Sequence, residues 1–284
     1  MPKPKPKVFK IPKTVIYFGQ VLQFLSPVLA MKHVFKLFIT PHKFKRPKRE
    51  DKMYEESKTA MLLIPELKKK IKIYSCGFAD KKVLLIHGWA GRGTQLYKIA
   101  ETLNEAGFMA VSFDATAHGD SEGKTSTMTE FIPTILEIEK QFGPFTFAIG
   151  HSLGGMALLN AVKDGLKVKK ISILGCGNSV TGICRQFVKR LELKPKVADL
   201  LKNRMDKLLG YDVELLSAYI AAKSIEISTL VVHDTQDDEV PVSCAYAIRQ
   251  SLKEGEIIIT EGLGHRRILT DAAVINEILA FLLK

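Results

Sequence analysis

"FTFAIGHSLGGMALLNAV", residues 145–162, is the stretch that decides the fold. It opens as a compact apolar run of strand-forming residues and closes as an Ala- and Leu-rich stretch with helical spacing. Between them stands Gly150-His151-Ser152-Leu153-Gly154, the pattern G-x-S-x-G. A strand that turns sharply into a helix lifts the central side chain into an exposed, strained position. The backbones then approach so closely that the residues two before and two after must be small. Gly150 and Gly154 meet that need. The flanking strand and helix separate this motif from a Gly-rich turn with an incidental serine.

The same alternation continues on both sides. "KVLLIHG" (82–88), "MAVSFD" (109–114), "KISILGCG" (170–177), "TLVVHD" (229–234) and "EIIITEG" (256–262) are apolar runs suited to strands buried on both faces. "KIKIYSCG" (70–77) alternates as an edge strand would. Helical spacing is found at about 94–106, 127–142, 153–165, 241–252 and 271–283. Strands alternating with helices predict an α/β protein built on a mostly parallel sheet. Residues 180–226 are too many for a simple crossover and read as an inserted helical cap. Its apolar residues Ile183, Phe187, Leu191, Leu200, Leu201, Met205, Leu208 and Leu209 either pack the cap itself or line a lipophilic pocket.

The 284-residue chain carries a formal net charge of +12, and where that charge sits decides its meaning. Residues 1–49 hold twelve Lys and Arg and no Asp or Glu, leaving thirty of each sign in residues 50–284. The main domain is formally neutral, which argues against a nucleic-acid groove on it. The chain divides into a basic extension, 1–49, and a domain, 50–284. Within the extension, "MPKPKPKVFKIPK" (1–13) predicts an extended, solvated lead-in. Residues 14–31 then run without a charge, and Ser26-Pro27 has the form of an N-cap followed by Pro at the first helical position. Two helices or one kinked helix are expected between about 14 and 40, with Gln20, Gln23, Ser26, Ala30, His33 and Lys36 forming a narrow polar stripe. Docking on the protein's own domain, an interfacial membrane helix, and a true span or cleaved signal all stay open.

Cys76, Cys176, Cys184 and Cys244 are scattered, with no C-x-x-C pair. Neither a zinc site nor a disulfide framework is suggested, and free thiols in a reducing, cytoplasmic compartment are expected.

A serine hydroxyl is a weak nucleophile, so a base must reach it and an acid must orient the base. On a fold with this elbow the chain order is Ser, then Asp or Glu, then His. Only His233 and His265 follow Ser152. His233 ends a buried strand, whereas His265 sits in "EGLGHRRIL" with Gly262 and Gly264 freeing the backbone, so His265 is the expected base. Charge developing on a carbonyl oxygen needs preorganised donors, here the backbone N–H of Leu153 and one from the loop "HGWAGRG". Trp89, the only tryptophan, stands at the right place to supply the second.

With these residues in order, the sequence resembles the serine α/β-hydrolases over about residues 70–284. "LLIHGWAG", "FDATAHGDSEG", "GHSLGG", "HDTQDDEVP" and "GLGH" follow the family's order and spacing. The resemblance implies the α/β-hydrolase fold: a central, mostly parallel sheet of eight strands flanked by helices, a Ser-Asp-His triad and a variable cap. By similarity the acid loop reads H-x-x-x-D-x-x-V-P, which runs His233, Asp237, Val240, Pro241 and makes Asp237 the orienting acid. Asp234 then completes the strand end and caps its turn, while Asp238 and Glu239 face solvent. Ala117 and Asp234 stand where many members carry glycine. "DTQDDEVP" lacks the glycine a calcium loop needs, and no metal or cofactor is implied.

The resemblance implies a carboxylic ester hydrolase acting on a small-molecule acyl ester through Ser152, Asp237 and His265. Thioesterases, lipases and C–C hydrolases share the triad, as do acyltransferases. A different class of reading is a lipid-surface or partner-binding module on a hydrolase scaffold, with peripheral membrane contact through residues 1–49.

Overall fold

The computed structural model describes residues 11–284; most of the lead-in expected at 1–13 lies outside them. Eight strands form one sheet: β1 (Lys58–Ile64), β2 (Lys69–Cys76), β3 (Lys82–Ile86), β4 (Met109–Phe113), β5 (Phe147–His151), β6 (Lys170–Leu174), β7 (Thr229–Asp234) and β8 (Gly255–Thr260). Their order is β1-β2-β4-β3-β5-β6-β7-β8. β2 runs antiparallel to both neighbours, and the remaining pairings are parallel.

Period-two alternation explains the apolar runs, because the inner strands β3 to β7 feed two cores at once. Leu84 and Ile86 of β3, and Ile171 and Ile173 of β6, point into one core, while Val83, Leu85 and Leu174 point into the other. The helices are α1 (Lys13–Leu25), α2 (Pro27–Ile39), α3 (Asp51–Glu56), α4 (Tyr97–Glu105), α5 (Met128–Phe142), α6 (Leu153–Lys163), α7 (Val180–Arg190), α8 (Pro195–Leu209), α9 (Ala218–Ala222), α10 (Ser243–Ser251), α11 (Gly264–Arg267) and α12 (Ala272–Leu283). Ile99 and Leu103 of α4 and Ile275 and Ile278 of α12 cover one face. Phe131 and Ile135 of α5 and Leu158 of α6 cover the other.

The expectation that residues 70–77 form an edge strand is corrected. β1 takes the edge and leaves Met61 and Leu63 exposed, while β2 lies between β1 and β4. The alternation in β2 arises because the sheet is thinly covered there: Ile71, Ile73 and Tyr74 are buried, while Lys70 is exposed and Lys72 half-buried.

The extension does form two helices. Ser26 is extended, and its hydroxyl accepts from the Val28 N–H at 3.2 Å with Pro27 opening α2. Both helices pack side by side, with the Phe18 ring edge-on to His33 at 5.0 Å. The pair docks on the turn between α7 and α8: Gln23 accepts from the Lys194 N–H at 2.6 Å, and the rings of Phe38 and Phe187 meet at 5.3 Å. The chain then runs back over the sheet end. Arg92 donates to the Phe44 carbonyl at 2.7 Å, and buried Glu50 accepts from the Thr94 hydroxyl at 2.8 Å. Among the described residues no helix is long and apolar enough to cross a membrane.

Candidate active site

Four loops leave the carboxyl ends of β3, β5, β7 and β8 on one edge of the sheet, where ligands bind in open α/β sheets. They carry Trp89, Ser152, Asp237 and His265 respectively.

Ser152 joins β5 to α6 at φ 54°, ψ −120°. A non-glycine residue held there costs about 1–3 kcal/mol and persists only where its surroundings enforce it. Here its N–H donates to the Leu174 carbonyl at 2.8 Å, tying the turn to β6. A Cβ on Gly154 would lie 2.4 Å from the His87 carbonyl oxygen, and one on Gly150 would lie 2.7 Å from the Gly154 carbonyl oxygen. Both positions are closed to any side chain.

His265 lies in the short helix after β8, and its Nδ1 is 2.7 Å from Asp237 Oδ2. The other carboxylate oxygen of Asp237 accepts from the N–H groups of Glu239 and Val240, each at 2.8 Å. Carboxylate oxygens only accept, so Nδ1 carries a proton, and in the neutral ring Nε2 is the atom with the lone pair. Nearby His233 is fully buried and donates from Nε2 to the Val240 carbonyl at 2.9 Å, bracing the same loop. Asp238 is exposed. Asp234 is buried and accepts from the Gln236 and Leu263 N–H groups and the Thr260 hydroxyl. Burial opposes its charge, yet these donors hold its carboxyl below the ordinary carboxylate value. The expectation that Glu239 faces solvent is corrected: it borders the cavity and pairs with Arg266 at 3.1 Å.

Ser152, His265, Trp89 and Leu153 all border one cavity of about 950 Å³. Among the described residues, no hydrogen bond joins Ser152 to His265, and the backbone N–H groups of Trp89 and Leu153 have no partner. Catalytic hydrogen bonds of this kind are often loose without substrate. Ile183, Phe187, Leu191, Met205, Leu208 and Leu209 line the cavity, whereas Leu201 is buried in the core. Val15, Phe35 and Phe38 of the first two helices complete the apolar wall. No sequence signal marked those three as lining, because the helices are apolar apart from a narrow polar stripe. Among the described residues no group of three or more His, Cys, Asp or Glu could hold a metal ion.

Two further histidines fix the loop that carries Trp89. His118 Nε2 accepts from the Ala90 N–H at 3.1 Å, and His87 Nε2 accepts from the Ala115 N–H at 2.9 Å. Their Nδ1 atoms face the carbonyls of Thr116 and Gly88, so each ring is neutral and protonated at Nδ1. Ala117, where glycine is common, adopts φ 61° between them. Burial pulls the imidazole of His87 down to about 4, and burial reinforced by His87 pulls that of His118 down to about 3. The unfolded chain takes up these protons near the ordinary 6.5. Stability is therefore complete above about pH 6.5 and falls as pH drops toward 4, by up to a few kcal/mol per ring. Thermal melts between pH 7 and 4.5 should show a steeper loss for the wild type than for His118→Gln, which keeps an acceptor for Ala90. Parallel curves would remove the histidine from the acid response.

The sheet order, the enforced turn at Ser152 and the loops gathered over it define the α/β-hydrolase fold. Residues 83–207 match the model of the alpha/beta hydrolase family. Solved structures of the same fold include a bromoperoxidase from Bacillus anthracis, 18% identical over 80% of this chain and 99% of that one, with a TM-score of 0.61. An esterase from Exiguobacterium antarcticum is 15% identical over 80% of this chain and all of its own (100%), with a TM-score of 0.62. Est1E from Butyrivibrio proteoclasticus, solved with ferulic acid bound, is 19% identical over 76% and 97% of the two chains, with a TM-score of 0.58. No curated protein matches the sequence.

Proposed function

We propose that the protein is a serine hydrolase of carboxylic esters, with Ser152 as nucleophile, His265 as base and Asp237 as the acid that orients it. The observation that carries this reading is the 2.7 Å contact between His265 Nδ1 and a buried Asp237 carboxylate, beside the cavity that Ser152 enters on its strained turn. His265 Nε2 takes the proton as Ser152 Oγ attacks the acyl carbonyl, then returns it to the leaving alcohol. The N–H groups of Trp89 and Leu153, two residues that border the cavity, receive the oxyanion in this reading. Water, deprotonated by His265, releases the acid and regenerates the serine.

The cavity volume suits a drug-sized or acyl-chain ligand, and its lining is mostly apolar by area, with Lys43, Lys45, Arg49, Arg92 and other charged residues along part of it. α7 and α8 act as the cap over it in this reading. The test is hydrolysis of a series of 4-nitrophenyl esters, with covalent labelling of Ser152 by a fluorophosphonate located by peptide mass spectrometry. Turnover and labelling at Ser152 are expected. Labelling elsewhere, or turnover without labelling, would overturn the assignment. Product analysis with competing alcohols and thiols separates hydrolysis from acyl transfer through the same acyl-enzyme.

A further inference from the structure

We infer that the outward face of the α1–α2 pair is the surface by which this protein lies on an anionic lipid bilayer. Tyr17, Phe18, Val21, Phe24 and Leu25 recur at helical steps along α1, and Val28 and Leu29 continue them at the start of α2; all seven are exposed. At the turn between the helices Phe24 is 91% exposed and Leu25 67%, values that an ordinary surface helix does not give to such side chains.

The helices are held to the protein by their other sides. Gly19 allows close approach to Leu193, where a Cβ would stand 3.5 Å from that side chain. Gln20 donates to Glu192 at 3.5 Å and Gln23 accepts from the Lys194 N–H. Thus α1 turns its glutamines toward the protein and an apolar row toward solvent, the reverse of a helix built to face water.

Charge points to the occupant. Lys32 and Lys36 follow Val28 at four-residue steps on the exposed side of α2, and Lys13 is exposed at the start of α1. Among the described residues none of the three pairs with an acid, and residues 1–49 contain twelve basic residues and no acidic one. A second copy using this face would set like charges against each other about a two-fold axis, with no acid in the segment to answer them. An apolar ridge bordered by lysines matches the boundary between acyl chains and anionic headgroups. Each helix has thirteen residues, enough to lie in that boundary and too few to span the hydrocarbon. Val15, Phe35 and Phe38 line the cavity from the inner side of the same pair. On the proposed esterase reading, an ester leaving the bilayer would therefore meet the cavity across a single helix pair.

Full-length protein would be centrifuged with sucrose-loaded vesicles of phosphatidylcholine alone or of equimolar phosphatidylcholine and phosphatidylglycerol. Wild type should sediment with the mixed vesicles, and high salt should weaken the binding. Phe24→Asp/Leu25→Asp should lower partitioning by about tenfold or more, and Lys32→Gln and Lys36→Gln by roughly fivefold each. None of these residues borders the cavity, so circular dichroism and hydrolysis of a soluble ester should match wild type in every variant. Wild type left in the supernatant with mixed vesicles, or variants that partition like wild type, would overturn the inference. So would a dimer on gel filtration that Phe24→Asp/Leu25→Asp converts to monomer without any vesicle binding. Vesicle binding by a protein that hydrolyses no ester would uphold the bilayer surface and overturn the enzymatic reading instead.

Discussion

Ser152→Ala is expected to lower kcat/KM for an activated ester by roughly a million-fold, to what the remaining donors and binding contacts supply. The size follows from the reaction's dependence on one oxygen. His265 has nothing to deprotonate without it, and no acyl-enzyme forms. The fold should be unaffected, because the turn is held by the Ser152 N–H bond to Leu174 and by the closed spaces at Gly150 and Gly154, none of which uses the hydroxyl. Melting temperature close to wild type with abolished turnover and labelling is the expected pair of results. Full turnover by the variant would place the nucleophile elsewhere.

Asp237→Asn should cost about ten-thousand-fold, through the tautomer of His265. The asparagine carbonyl can keep the two backbone donors from Glu239 and Val240. Its NH2 group then faces His265 Nδ1, which must become an acceptor. The ring proton moves to Nε2, and the atom that should receive the serine proton no longer has a lone pair. The pH–rate profile should lose its neutral plateau and rise toward high pH. Asp238→Asn, at an exposed position one residue on, should leave activity within about twofold, as surface changes usually do. The reverse pattern in the two variants would move the acid by one residue.

The inner strands β3 to β7 were legible as short apolar runs bounded by turns; the run at 256–262, expected to be buried on both faces, is corrected, because β8 closes the sheet's other edge with its residues at most half-buried. β1 was not: its apolar run at 60–64 does not alternate, yet Met61 and Leu63 of that run stand in solvent at the sheet edge. In the site, the family resemblance, through its register to Val240-Pro241, pointed to Asp237, and the structure sets that carboxylate against His265 while leaving Asp238 outside. Glu239 was misplaced because its pairing with Arg266 depends on how two distant loops meet. The contribution of α1 and α2 to the cavity was hidden for a similar reason: a narrow polar stripe on otherwise apolar helices does not say which side turns inward. The buried partnership of Glu50 with Thr94 and Arg92 has no local signature either, being formed between segments more than forty residues apart.

The cavity wall draws on Val15, near the start of the described chain, and on His265, a short helix away from its end. During synthesis, then, the strand-to-helix turn at Ser152 can form long before the space in front of it has a floor or a far side. Enclosure waits until α11 has left the ribosome and α1 and α2, made well before the sheet is complete, have found the α7–α8 turn. The cavity is for this reason a late joining of distant segments, and a ligand that fills it reads whether those segments have met.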